Sequence, residues 1–188
     1  MGHIREYCER LVRLDESEWS FIASHFKRTV LDKGQIVTRA GETEEFLSFI
    51  ESGAIRYYVP GEDRDLTFDF SLDREFSCAY DSFLTRQPSQ YAVETLSRTV
   101  LWQISYSDLQ AVYNQTRVGS HLGRFIAENL FLRKSQRERS LRTLTAKERY
   151  LRLFKDQPEV VRRIPLKYIA SYIGVTPQAL SRIRRQIC

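Results

Sequence analysis

Cysteine and histidine are scarce in this chain of 188 residues, and neither is clustered. Cys8, Cys78 and Cys188 lie far apart with no CxxC pair, which excludes a disulfide framework and leaves a zinc site or thiolate cluster nothing to build on. Three free thiols in a reducing compartment are expected. His3, His25 and His121 form neither HxH nor HExxH, and GxSxG, GxxxxGK[ST] and GxGxxG are all missing. No run approaches the roughly 18–20 apolar residues that a membrane span requires. The opening "MGHIREYCERLVRLDESEW" carries acidic residues and no central apolar block. A cytoplasmic protein is expected, with no catalytic residue, metal or cofactor to assign and no enzymatic activity.

Charge is present in quantity and is unevenly placed. Residues 1–110 hold 12 Lys/Arg and 19 Asp/Glu, whereas residues 111–188 hold 17 and 5. An acidic front joined to a strongly basic back points to nucleic acid or another acidic surface as partner. A basic face that is merely solvated is the plainer explanation of the charge alone.

The pattern of apolar residues changes twice. Up to Phe26 it is helical, with Trp19, Phe21, Ile22 and Phe26 at helical spacing and Asp15 or Ser17 available as N-cap. Between residues 29 and 106 short apolar runs alternate with turn residues. "FLSFIESGAIRYYV" reads as a hairpin about Ser52-Gly53, "PGEDRD" as a turn, and "LTFDF", "YAVETL" and "TVLWQIS" as strands. Such a series predicts an antiparallel barrel or jelly roll. From Ser107 the spacing is helical again. "SDLQ" fits a capping box, and Leu122, Phe125, Ile126, Asn129 and Leu130 continue one stripe, so one helix is predicted through Gly119 to about Leu141. Its length suits a spine between two lobes that also pairs with a second copy. Thr145 and Glu148 form another capping box opening a helix with Leu151, Phe154 and Tyr150 as its core face, and Pro158 and Pro165 mark further starts. The fold class is therefore α+β, with a sensor-type barrel over 1–110, a long connecting helix over 111–143 and a helical unit over 144–188.

The last stretch, "LKYIASYIGVTPQALSRIRRQIC", carries the most information. Ile169, Ala170 and Ile173 share one helical face, Gly174 permits a left-handed turn, and Thr176 caps a second helix that begins at Pro177. A small Ala170 lets the helices cross closely, with Leu180 plugging the crossing. This is the steric recipe of a helix-turn-helix. With Leu180 and Ile183 inward, Gln178, Ser181, Arg182 and Arg185 project outward, the types that read base edges in a major groove. Lys167, Arg184 and Arg185 suit phosphates, and Thr176 sits at the helix start beside them. The structural alternative is a hairpin that only closes a core.

Taken together, an acidic barrel, a long helix and a terminal helix-turn-helix resemble the cyclic AMP receptor protein (Crp/Fnr) family of bacterial transcription regulators. The resemblance spans essentially the whole chain. It is strongest in "TAKERYLRLFKDQPEVVRRIPLKYIASYIGVTPQALSRIRR" and weaker in "FLSFIESGAIRYYV" and "SQYAVETLSRTVLWQISYSDL". It implies a homodimer through the long helix, a near-palindromic double-stranded DNA operator, RNA polymerase as a further partner, and no membrane association. It also implies a cyclic-nucleotide site, and here the chain departs from the family. The Gly-Glu pair that binds the ribose corresponds to Ala79 and Tyr80, and the phosphate-binding Arg with its follower corresponds to Ser89 and Gln90. Arg86 is the one nearby cation that could substitute. Cyclic AMP is therefore not expected in its usual place, and no other effector is named by these candidate pocket positions. The alternative function is a small-molecule-binding or protein-docking barrel module without specific DNA binding.

Overall fold

The computed structural model describes residues 1–187; Cys188, one of the three expected free thiols, lies outside them. Cys8 and Cys78 are both unpaired thiols. Helices α1 (Gly2–Glu9) and α2 (Glu16–Ser24) precede eight strands: β1 (Lys27–Leu31), β2 (Ile36–Thr38), β3 (Phe46–Ser52), β4 (Ala54–Val59), β5 (Leu66–Leu72), β6 (Phe76–Ser77), β7 (Ala92–Thr95) and β8 (Thr99–Ser105). A short helix, α3 (Tyr80–Thr85), interrupts the strands between β6 and β7. Six helices follow: α4 (Tyr106–Gln115), α5 (Gly119–Thr143), α6 (Ala146–Asp156), α7 (Pro158–Arg163), α8 (Leu166–Tyr172) and α9 (Pro177–Arg185). The strands form two antiparallel four-stranded sheets, in the orders β1-β8-β3-β6 and β2-β7-β4-β5. This is the expected jelly-roll arrangement, with Ile50, Ile55, Val93 and Leu101 fully buried between the sheets.

Five sequence expectations need correction. The chain around Ser52-Gly53 is not a hairpin, because β3 belongs to the first sheet and β4 to the second. Gly53 has φ +131°, and a Cβ there would lie 2.8 Å from the Thr99 backbone. The glycine therefore lets the chain cross from one sheet to the other where a side chain would collide. The hairpin lies one strand later, β4 with β5, around the "PGEDRD" turn.

The long helix is not continuous through residue 119, and a boundary after residue 110 would cut α4. The cap of α4 is Ser105, which accepts from the Asp108 N–H, rather than Ser107. Helix α4 stops where Thr116 turns extended, at φ −121° and ψ 145°. The Thr116 hydroxyl donates back to the Val112 carbonyl (2.8 Å) and accepts from the Gly119 N–H (2.9 Å), so it ties off one helix and starts the next. A 25-residue α5 then runs to Thr143.

In α6 the buried pair is Tyr150 and Leu153, while Leu151 and Phe154 are exposed. Both pairs are apolar, and the packing of α7 and α8 decides which one faces inward. The Thr145–Glu148 capping box forms as expected.

The terminal helices rest against the barrel. Edge strand β5 is covered by α8: the Thr67 N–H donates to Ser171 Oγ at 2.8 Å, which satisfies an edge donor. Arg163 pairs with Asp73 (2.6 Å) and donates to the Gly53 carbonyl (2.7 Å). Arg133 of α5 bonds Asp69 and the Phe70 carbonyl. No described helix is long and apolar enough to cross a membrane.

Candidate nucleic-acid interface and barrel interior

In the terminal unit, α8 and α9 cross over Ala170 and Leu180, which are 0% and 1% exposed. Gly174 turns the chain between them at φ +77°, a conformation that costs an L-residue about 1–2 kcal/mol. Thr176 caps α9 by accepting from the Ala179 N–H at 3.2 Å, and Pro177 occupies the first turn, where its missing N–H is not needed. With Leu180 fixed inward and Ile183 half-buried, Gln178, Ser181, Arg182, Arg184 and Arg185 all stand in solvent. None of these five forms a side-chain hydrogen bond or ion pair among the described residues. Lys167 is exposed on α8, with its ammonium 4.7 Å from the Tyr168 ring. The result is a helix face bearing one amide, one hydroxyl and three guanidinium groups, donors and acceptors suited to base edges and phosphates.

The five candidate pocket positions of the barrel do not converge. Ala79 is fully buried beside Tyr57, Tyr91 and Leu101. Tyr80 packs with Phe83 in the separate core formed with α1, α2 and α4 (ring centroids 6.4 Å apart). It therefore neither lines nor closes the interior. Ser89 is buried and spent locally, donating to the Tyr91 carbonyl at 2.8 Å, while Gln90 is exposed. Arg86 occupies a left-handed position at the end of α3. Its guanidinium donates to the Glu44 carbonyl and the Glu45 carboxylate, both at 2.7 Å, and faces the Tyr106 ring.

Several important side chains had no distinctive sequence signal. Tyr57, Phe68 and Tyr91 form a ring cluster with centroids 4.9–6.4 Å apart, and these rings take up space between the sheets. Tyr57 is held by Ser71 and Ser77, and Tyr91 donates to Asp81 at 2.6 Å. Burial raises the Tyr57 phenol above its usual range, as it does for Tyr91, where the Asp81 carboxylate adds to the shift. Glu44, 3% exposed, accepts from the Thr38 hydroxyl and from the N–H groups of Phe46 and Ala79. It therefore takes up the N–H of Ala79, the residue that opens α3. Arg56, 5% exposed, bonds Glu94 (2.7 Å) and Asp65 (2.8 Å) and lies between the rings of Tyr58 (3.8 Å) and Tyr168 (4.2 Å). Burial works against its charge, and the two carboxylates more than offset that, so it stays fully ionised. Among the described residues no three His, Cys, Asp or Glu are grouped to hold a metal ion.

Comparison with known proteins gives a consistent placement. A family model described as the cyclic nucleotide-binding domain matches residues 28–116. No curated protein sequence matches the chain. Among solved structures, the chain is similar to the c-di-GMP-responsive global regulator CLP of Xanthomonas campestris (TM-score 0.70, 19% identity, 92% of this chain and 91% of that one). It is also similar to FixK2 of Bradyrhizobium japonicum (TM-score 0.72, 18% identity, 86% and 84%). A third likeness is to a chain from Eubacterium rectale described as a transcriptional regulator of the Crp/Fnr family (TM-score 0.67, 15% identity, 92% and 83%). Residues 28–116 thus match the model of the cyclic nucleotide-binding domain, and the chain as a whole shares the fold of these three solved structures.

Proposed function

We propose that this protein is a dimeric, sequence-specific DNA-binding regulator that reads its operator with α9. The observation that carries this reading is the split of that helix: Leu180 is locked into the crossing while Gln178, Ser181, Arg182 and Arg185 stand in solvent. Glutamine can bond adenine bidentately, arginine can grip guanine, and Lys167 and Arg184 serve as phosphate contacts that set register. Thr176, at the start of α9, lies where a phosphate would approach. The α5 surface supplies the second half of the reading. Phe125, Phe131 and Leu132 are 41%, 70% and 62% exposed, an apolar surface suited to a second copy. Two copies related by a twofold axis call for a near-palindromic site with half-sites about 34 Å apart.

The barrel acts in this reading as a domain that does not take cyclic AMP in the usual manner. Support comes from Ser89 standing where the phosphate-binding arginine would be, from Arg86 being bonded to Glu45, and from the ring cluster of Tyr57, Phe68 and Tyr91.

The test is selection of bound fragments from a random DNA pool, followed by titration at two salt concentrations. An enriched palindrome and salt-steep binding are expected. Arg182→Ala should abolish discrimination at its base position, a loss of about 1–3 kcal/mol. Arg184→Ala should weaken all DNA equally and flatten log K against log[salt] by about 0.9. No enrichment, or variants that lose stability while keeping base preference, would overturn the assignment.

A further inference from the structure

A cleft of about 720 Å³ opens between α5, α6, β5 and the end of α8, and no residue of α9 lines it. That volume suits a small molecule and excludes a duplex. Five basic side chains (Arg133, Lys134, Arg137, Arg149 and Arg152) share the wall with three acidic ones. Each acid is already engaged: Asp69 by Arg133 at 3.3 Å, Asp156 by Arg152 at 3.2 Å and Glu138 by Arg142 at 2.9 Å.

Lys134, Arg137 and Arg149 make no ion pair among the described residues. Arg137 donates to the Tyr172 carbonyl at 2.9 Å and lies over the Tyr172 ring at 4.5 Å. Its Nε is buried with no partner among the described residues. Arg149 donates to the carbonyls of Ile173 (2.8 Å) and Leu144. Carbonyl oxygens aim a guanidinium without neutralising it, so these arginines are held in place with their charge uncompensated. Tyr172 supplies ring surface in the same wall.

We propose that this cleft binds a small phosphorylated ligand of the nucleoside polyphosphate class, with its phosphates on Lys134, Arg137 and Arg149 and its base against Tyr172. Guanidinium groups match phosphate oxygens bidentately, and a ligand with several charges supplies what three unmatched cations require. The walls come from the barrel, the connecting helix and the terminal helices together, so an occupant bridges all three. This site is separate from the α9 face, and its test uses no DNA in the primary readout.

The experiment is calorimetric titration of the full-length, DNA-free protein with adenosine and guanosine triphosphates, and with inorganic tripolyphosphate as the ringless probe. Saturable binding of at least one nucleotide, one per chain, is expected, with tripolyphosphate weaker. Lys134→Glu and Arg137→Gln should each weaken it tenfold or more, and Arg98→Glu, on the barrel surface, should leave it unchanged. Lys134 is exposed, so its variant keeps the protein folded even if Arg137→Gln does not, and thermal melts check both. The proposal fails if no probe saturates at millimolar concentration, if Arg98→Glu is as damaging as Lys134→Glu, if tripolyphosphate binds as well as the nucleotides, or if only duplex DNA competes for these cations.

Discussion

Glu44 shows how a single side chain sets the character of the barrel. Its carboxyl is buried, and burial raises its pKa more than the bonds from Thr38, Ala79 and Phe46 lower it. A carboxyl that holds its proton more tightly when folded stabilises the fold fully below its unfolded pKa of about 4.3. That contribution is lost as pH rises through the higher folded value. Glu44→Gln, which does not titrate, should therefore gain stability relative to the parent as pH climbs from about 4.3 towards neutrality. Thermal melts of the two proteins across that range measure the difference, and a gap that narrows or stays flat would show that Glu44 is not strained by its ionisation. Arg86 makes the complementary point. A cation near the expected phosphate position looked available in the sequence, but Glu45, forty-one residues away, already holds it. A partner so remote leaves no local pattern to read.

The helices and strands were legible where local chemistry fixed them and illegible where a neighbour did. Ala170, Gly174, Thr176 and Leu180 specify the α8–α9 crossing by size, backbone freedom and capping, all local properties, and that unit formed as expected. Leu151 against Leu153, and Ser52-Gly53 as crossover rather than hairpin, depended on which surface arrived opposite. So did the seating of α8 on β5, since a serine within a helix gives no sign of bonding a strand edge 104 residues away. That seating is measurable. Ser171→Ala leaves the buried Thr67 N–H without a partner, which costs about 1–3 kcal/mol. Arg163→Gln removes a half-exposed ion pair worth about 0–1 kcal/mol. Denaturant melts should rank the serine variant as the less stable; the reverse order would mean that the ion pair, and not the edge bond, holds α8 in place.

For the whole molecule, the exposed apolar stripe of α5 and the polar face of α9 are complementary requirements. In the proposed dimer one copy presents a single reading helix, and a second copy supplies the twofold spacing that gives discrimination. Phe125 and Leu132 are seven residues apart and lie on the same side of α5, and each gains about 1.5–3 kcal/mol on burial. A protein carrying both Phe125→Asp and Leu132→Asp should sediment as a monomer and bind its selected operator at least tenfold more weakly, with its circular dichroism unchanged. A variant that remains a dimer would place the contact between copies elsewhere.

Both β1 and β3 find their main neighbour in β8, which ends at Ser105, so the barrel is a structure of distant pairings. During synthesis the first sheet must wait until β4 to β7, helix α3 and β8 itself have left the ribosome, with Leu47 and Ile50 uncovered in the meantime. The packing of α6 on α7 and of α8 on α9 joins neighbours in sequence and can form almost as these helices emerge, before α8 seats on β5. The barrel is then the slow and aggregation-prone part of biogenesis, and the terminal helices settle onto a barrel that has already formed.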